Sequence, residues 1–374
     1  MKRLLAGASI VAVLAGLIVF ADYRFGLRDA LFPVATGACG SHPSSSFELP
    51  DYKGLNYGTP PTVSGAFVGT RWLRASEWPK VEPALKADVD FIAQNELGRV
   101  VRLFVGLDQA MIWDERRGFL GYDAGSLDRF QTALDLFQAR GIRLIVVLFD
   151  DEEASSPGNF RSWALDGAHS AMRNNYLRAV DAFLRRFGSS PVVAGWDLFN
   201  EPYNSIGRRG ETPGQTAGGF HYADSVVHNW LRDLYRVARC AAPGAWFTAS
   251  DTTDLYWHSP PDVSLYADVV DFYDMHVYDD NPRVRDWRAF LHKPYLLGEV
   301  AASVENEHYR DQALNSRTVR FMLEHGATAG VSAVLAQAPD GLLFPSDRRG
   351  LTATGLVLAC FDDARIARRS GCGG

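Results

Sequence analysis

The chain has 374 residues, 47% of them apolar, and a formal charge of −6 from 38 basic and 44 acidic side chains. That apolar content supports a large core and argues against global disorder. The charges are mixed in sign, with no basic stripe or arginine-rich tail, so nucleic acid is not an expected partner.

Lys2 and Arg3 precede an uncharged apolar run, residues 4–21. This is the pattern of an export signal, with Val19-Phe20-Ala21 as a cleavage site, or of a retained membrane anchor. Either way the rest of the chain is expected outside the cytoplasm, secreted, periplasmic or tethered facing outward. Residues 22–50, with the run Ser44-Ser45-Ser46, read as a spacer, and residues 51–374 as one folded domain. Cys39, Cys240, Cys360 and Cys372 lack the spacing of a zinc site. Free thiols and disulfides in any of three connectivities are equally compatible with them.

From residue 51 onward, short apolar runs alternate with helical patterns. The runs read as strands are 54–57, 100–105, 144–149, 193–199, 246–249, 269–276, 295–297 and 331–335. Ser126 is a candidate N-cap for a helix carrying Phe130, Leu134 and Phe137 and stopped by Gly141. Further stripes are Tyr176, Val180, Phe183 and Phe187; Val226, Trp230, Leu234 and Val237; and Val319, Met322 and Leu323 before Gly326. Eight strands alternating with helices predict an α/β fold, a single (β/α)8 barrel. A doubly wound sheet would carry a glycine-rich phosphate loop, and Asn56-Tyr57-Gly58-Thr59-Pro60-Pro61 is not one.

In such a barrel, function gathers where the strands end. The polar residues there are Asn56, Arg102, Asp150, Asp151, Asn200, Glu201, Asp251, His276, Tyr278, Glu299 and Gln337. Arg102 interrupts an apolar strand and needs an anionic partner. Glu299 is the expected one, and the cation would keep it ionised. Glu201 closes the fourth run and Glu299 the seventh, so two carboxyl groups share one mouth, as cleavage of a glycosidic bond requires. His276 and Tyr278 point the same way from an extended chain. Tyr278 is expected to donate to Glu299, and His276 to bind substrate or steady Glu201. No third ligand at suitable spacing accompanies His276, so no metal is expected. Trp113, Trp163, Tyr256 and Trp257 are candidate sugar platforms on loops, and residues 205–219, with Arg208 and Arg209, read as a lid.

Together, Asn200-Glu201-Pro202, His276-Val277-Tyr278, Gly298-Glu299, Arg102 and Gly54-Leu55-Asn56-Tyr57 resemble glycoside hydrolase family 5 and its clan of retaining (β/α)8 hydrolases, cellulase- and mannanase-like enzymes. The resemblance spans roughly residues 51–365. It implies Glu201 as acid/base, Glu299 as nucleophile, Arg102, Asn200, His276 and Tyr278 as supporting groups, and neither metal nor cofactor. Asn56, Trp113 and Trp257 join them as expected substrate-side residues. Two positions depart from the family pattern. Phe149-Asp150-Asp151-Glu152 stands where a histidine is usual, and residues 333–338 hold no aromatic where a tryptophan is usual. The expected substrate is an oligo- or polysaccharide with β-linked gluco- or manno-configured units, and the expected state a monomer. The rival readings are a transglycosylase and a non-catalytic carbohydrate-binding protein of envelope polysaccharide assembly.

Overall fold

The computed structural model describes residues 39, 43, 45–58, 69–114, 118–150, 170–205, 214–216, 219–221, 223–251, 255–338, 343, 348–362 and 367–368. Eight strands form one sheet: β1 (Lys53–Gly58), β2 (Val100–Phe104), β3 (Arg143–Val147), β4 (Val193–Asp197), β5 (Phe247–Thr248), β6 (Tyr273–Tyr278), β7 (Tyr295–Ala301) and β8 (Val334–Gln337). β1 pairs in parallel with both β2 and β8. β5 and β6 meet through a parallel bridge between Asp251 and Met275, where His276 N–H donates to Asp251 O at 2.7 Å. The sheet therefore closes into a (β/α)8 barrel.

Six α-helices of two turns or more lie among the described residues: α1 (Trp78–Gln94), α2 (Ser126–Gln138), α3 (Ser170–Phe187), α4 (Asp224–Ala241), α5 (Gln312–Gly326) and α6 (Ala353–Cys360). They follow β1, β2, β3, β4, β7 and β8. After β5 and β6 the described residues hold turns and one short 3-10 helix, Trp287–Ala289. The helical stripes are the buried faces: Tyr176, Val180, Phe183 and Phe187 on α3, and Trp230, Leu234 and Val237 on α4, pack into the main core. Each such side chain contributes about 1.5–3 kcal/mol by leaving water.

Several boundaries differ from expectation. Ser126 does not cap α2. Gly125 holds the N-cap position with φ 77°, a left-handed conformation that suits glycine, and Ser126 is the first helical residue. β6 begins only at Tyr273, because Val269 and Val270 pack in the preceding turn, and it runs on to Tyr278. β7 continues to Ala301, so Glu299 lies inside a strand and not at its end.

Residues 4–21, the expected membrane or export segment, lie outside the described residues. Among those described, no helix is long and apolar enough to cross a membrane. The described end of the segment read as a spacer packs against the barrel's lower end. Phe47 stacks on Phe272 (centroids 4.5 Å apart) and tilts against Trp246 (5.1 Å). Leu49 joins them below Val100, Ile145, Leu296 and Leu335. A disulfide joins Cys39 to Cys240 near the end of α4, with Cα atoms 4.7 Å apart. Cys360 is also disulfide-bonded.

Candidate active site

Alternation along the strands divides the barrel interior into layers. The lower layer is apolar, built by Val100, Ile145, Phe272, Leu296 and Leu335 over Phe47 and Leu49. Two residues further along, three of these positions invert in character. Val100 gives way to Arg102, Phe272 to Asp274, His276 and Tyr278, and Leu335 to Gln337. Asn56, Asp197, Ser250 and Glu299 complete a buried polar layer.

Arg102 is the hub. Its side chain is fully buried. Nη1 donates to Glu299 Oε1 (2.5 Å) and Asn56 Oδ1 (3.3 Å). Nη2 donates to Asp197 Oδ2 (2.7 Å), Asn200 Oδ1 (2.7 Å) and Ser250 Oγ (3.1 Å). Nε lies 3.3 Å from Asp274 Oδ2, and the guanidinium covers the Phe104 ring at 4.7 Å. Burial pulls the guanidinium pKa down, but Glu299, Asp197 and Asp274 outweigh it and raise it. The same burial raises Asp197, and raises Asp274 to about 7 against the pull of Arg102. A cation buried this way is tolerable only because nearly every donor has a partner.

Glu299 owes its inward aim to an irregularity in β7. Met275 pairs with Leu297, but His276 pairs with Glu299, so Gly298 is an extra residue. A bulge of this kind re-aims the following side chain. Glycine is required there, since a Cβ on Gly298 would sit 2.0 Å from Asp274 Oδ1. The Glu299 carboxylate then accepts from three directions: Arg102 on Oε1, and Tyr278 Oη and Gln337 Nε2 (2.9 Å) on Oε2. Burial, then the charges of Glu299 and Glu201, push the Tyr278 hydroxyl pKa up, so it stays a donor.

Glu201 sits just past β4 with φ 46°, rare for a residue with a side chain and costing roughly 1–3 kcal/mol. Its N–H donates to Ser250 Oγ (3.2 Å), which helps hold the turn. Oε1 is hydrogen-bonded to His276 Nδ1. Burial pulls the imidazole down, yet the charges of Glu299 and Glu201 raise it to about 9. When His276 is protonated, Nδ1–H donates to the Glu201 carboxylate. Nδ1 lies 3.7 Å from Glu299 Oε2. One oxygen of each glutamate and a His276 ring nitrogen all lie within 4.8 Å of one another.

Those three side chains have the donor types of a metal centre. Sequence spacing offers His276 no third ligand, but the fold brings Glu201, just past β4, and Glu299, on β7, beside it. The donor set nonetheless does not suit a resident cation. Both Glu299 oxygens already accept hydrogen bonds, one of them from the Arg102 guanidinium.

The expected residues Asn56, Arg102, Asn200, Glu201, His276, Tyr278 and Glu299 thus converge. Asp150 bridges Asn200 and accepts from its Nδ2 at 3.4 Å. Asp251 serves the loop after β5 instead, accepting from Tyr266 Oη and Leu255 N, both at 2.7 Å. Trp257 is 41% exposed and packs edge-on against Tyr256. The side chain of Trp113 lies outside what is described, as do Asp151, Trp163, Arg208 and Arg209. Asp197, Ser250 and Asp274 were not expected in the site. Asp197 and Asp274 carried the same signal as Arg102, a charge inside a buried strand.

No protein-family model matches the chain, and a search of curated proteins finds no match. Solved structures do resemble it. The β-mannanase of the blue mussel Mytilus edulis is 15% identical with TM-score 0.60, covering 83% of this chain and 95% of that one. The β-1,4-D-mannanase of Cryptopygus antarcticus is 16% identical with TM-score 0.61, covering 84% and 92%. GH5_18 from Streptomyces cattleya, solved in complex with GlcNAc, is 15% identical with TM-score 0.60, covering 86% and 80%. The likeness is one of fold.

Proposed function

We propose that the chain is a retaining glycoside hydrolase acting on β-linked gluco- or manno-configured glycans. The observation that carries this reading is the pair Glu201 and Glu299, with one oxygen of each within 4.8 Å of the other in one barrel mouth. Retaining enzymes hold their two carboxyl groups about 5–5.5 Å apart, whereas inverting ones need about 6.5–9.5 Å to admit a water. Neighbours in fold that are themselves β-mannanases support the choice of sugar.

In the first step a Glu299 oxygen attacks the anomeric carbon, and the bond to the leaving oxygen breaks as Glu201 gives that oxygen a proton. In the second, Glu201 takes a proton from water. The water oxygen bonds to the anomeric carbon and Glu299 departs as a carboxylate. Asn200 Oδ1 is occupied by Arg102 and Ser250, so its remaining amide hydrogen is the group free to meet a sugar hydroxyl. An export signal or anchor in residues 4–21 fits an extracytoplasmic site of action, and the Cys39–Cys240 disulfide supports an oxidising compartment.

The test is a panel of aryl β-glucosides and β-mannosides with β-1,4-glucans and β-mannans, incubated with the full chain. Release of the aryl group or of reducing ends is expected. Glycan binding without turnover would overturn the reading in favour of a binding protein. Products longer than the substrate would make the chain a transglycosylase.

A further inference from the structure

Gln337 ends β8 just before the place where no aromatic stands, and it touches Glu299. Whether an amide presents oxygen or nitrogen to a neighbour is usually ambiguous. Here it is decided by Arg102, which can only donate. Arg102 Nη1 donates to Asn56 Oδ1 (3.3 Å), so Asn56 must turn Nδ2 outward. That Nδ2 donates to Gln337 Oε1 (2.7 Å), so Gln337 must turn Nε2 toward Glu299. Nε2 reaches Glu299 Oε2 (2.9 Å) and the Tyr278 hydroxyl oxygen. With its oxygen already an acceptor, Tyr278 commits its single hydrogen to Glu299. Strand register builds the chain, because Asn56 is paired with Arg102 across β1 and β2 and with Gln337 across β1 and β8.

We propose that Asn56 and Gln337 form a one-way relay from Arg102, which makes Gln337 a positioning residue holding the second oxygen of Glu299. The inference rests on the reading of Glu299 as nucleophile. Turning either amide over would set Asn56 Nδ2 against the guanidinium or Gln337 Oε1 against the carboxylate. The relay thus removes the alternative orientation and fixes the plane of the attacking carboxylate.

Asn56→Asp tests the relay without changing size. The introduced carboxylate, when ionised, accepts from both neighbours, which turns Gln337 over and strips Glu299 Oε2 of its amide donor. Turnover at pH 7 should fall about a hundredfold, the scale of losing one oriented donor. It should recover toward wild type as pH is lowered, because the introduced carboxyl group, once protonated, donates to Gln337 Oε1 again. Gln337→Met should lose a similar factor with no recovery at low pH, while its thermal unfolding shows that it folds. An Asn56→Asp enzyme with the wild-type pH profile would overturn the relay. A second readout needs no turnover: the side-chain NH2 resonances of Gln337, assigned by their loss in Gln337→Met, should shift in Glu299→Gln and in Asn56→Asp. Resonances indifferent to both changes would also overturn it. If the wild-type chain cleaves no glycoside, the functional reading falls and the NMR arm alone decides the relay.

Discussion

The ends of β4 and β7 each present a glutamate to the same mouth, but they hold it differently. Glu299 lies within a strand, aimed by a glycine bulge, and its carboxylate accepts from Arg102, Tyr278 and Gln337. Glu201 lies beyond its strand on a left-handed backbone, and its carboxylate meets His276. A group held by three donors is fixed in place and in charge. A group that meets an ionisable partner can give up and regain a proton. Under the proposed mechanism the two glutamates take opposite tasks, and the chemistry of their partners and their backbone anchoring, not residue type, would set them apart.

The largest expected effect comes from removing the fixed member. Glu299→Ala should lower kcat for every substrate by more than about 10⁴-fold, the scale seen when a nucleophile is deleted. Glu201→Ala should divide substrates instead. Glycosides with poor leaving groups should slow by about 10²–10⁴-fold, the contribution of general acid catalysis. Activated aryl glycosides, which need no proton in the first step, should slow less, and added azide should restore part of their turnover. Equal losses for both variants on both substrate types would erase the proposed contrast between the two seats.

A smaller effect tests the partner of Glu201. His276 is raised from its ordinary 6.5 to about 9, so the folded state holds its proton more tightly than the unfolded chain does. The resulting stability is complete below pH 6.5 and is lost as pH rises through about 9. Asp274, raised from 3.8 to about 7, has the same sign at lower pH, so the comparison belongs above pH 7. Between there and roughly pH 9.5, beyond the raised His276 value, the melting temperature should fall more steeply for wild type than for His276→Gln. The wild-type rate should also show an alkaline limb near pH 9 as the donor to Glu201 is lost. Parallel melting curves in that window would remove His276 as the group that sets the protonation of this seat.

Much of this was legible in the sequence because barrels repeat a local rule. Each apolar run that stops at a polar residue is a strand reaching the mouth, and the runs ending near Asn56, Asn200 and Gln337 kept that rule. Arg102 was legible because a charge inside an apolar strand demands partners. Asp197 and Asp274 broke strands in the same way, but their role depends on which neighbours closure of the barrel brings beside them. The bulge at Gly298 was hidden, since one extra residue leaves no mark in an apolar pattern, and it carries Glu299 into the strand interior. The metal-like grouping of Glu201, His276 and Glu299 was hidden for a related reason: their separations in sequence say nothing of three strands converging. Phe47 and Leu49 stand in a segment that reads as a spacer, because two apolar residues near a serine run have no periodicity to betray a packed end.

Double displacement by the two carboxylates would leave its mark in the stereochemistry of the product. Proton NMR of the anomeric region, recorded in the first minutes of cleavage of a β-glycoside, reads the configuration before mutarotation blurs it. Two inversions at the anomeric carbon predict that the β-anomer appears first and the α-anomer grows in later. An α-anomer formed first would mean a single displacement by water, and would contradict the role given to Glu299.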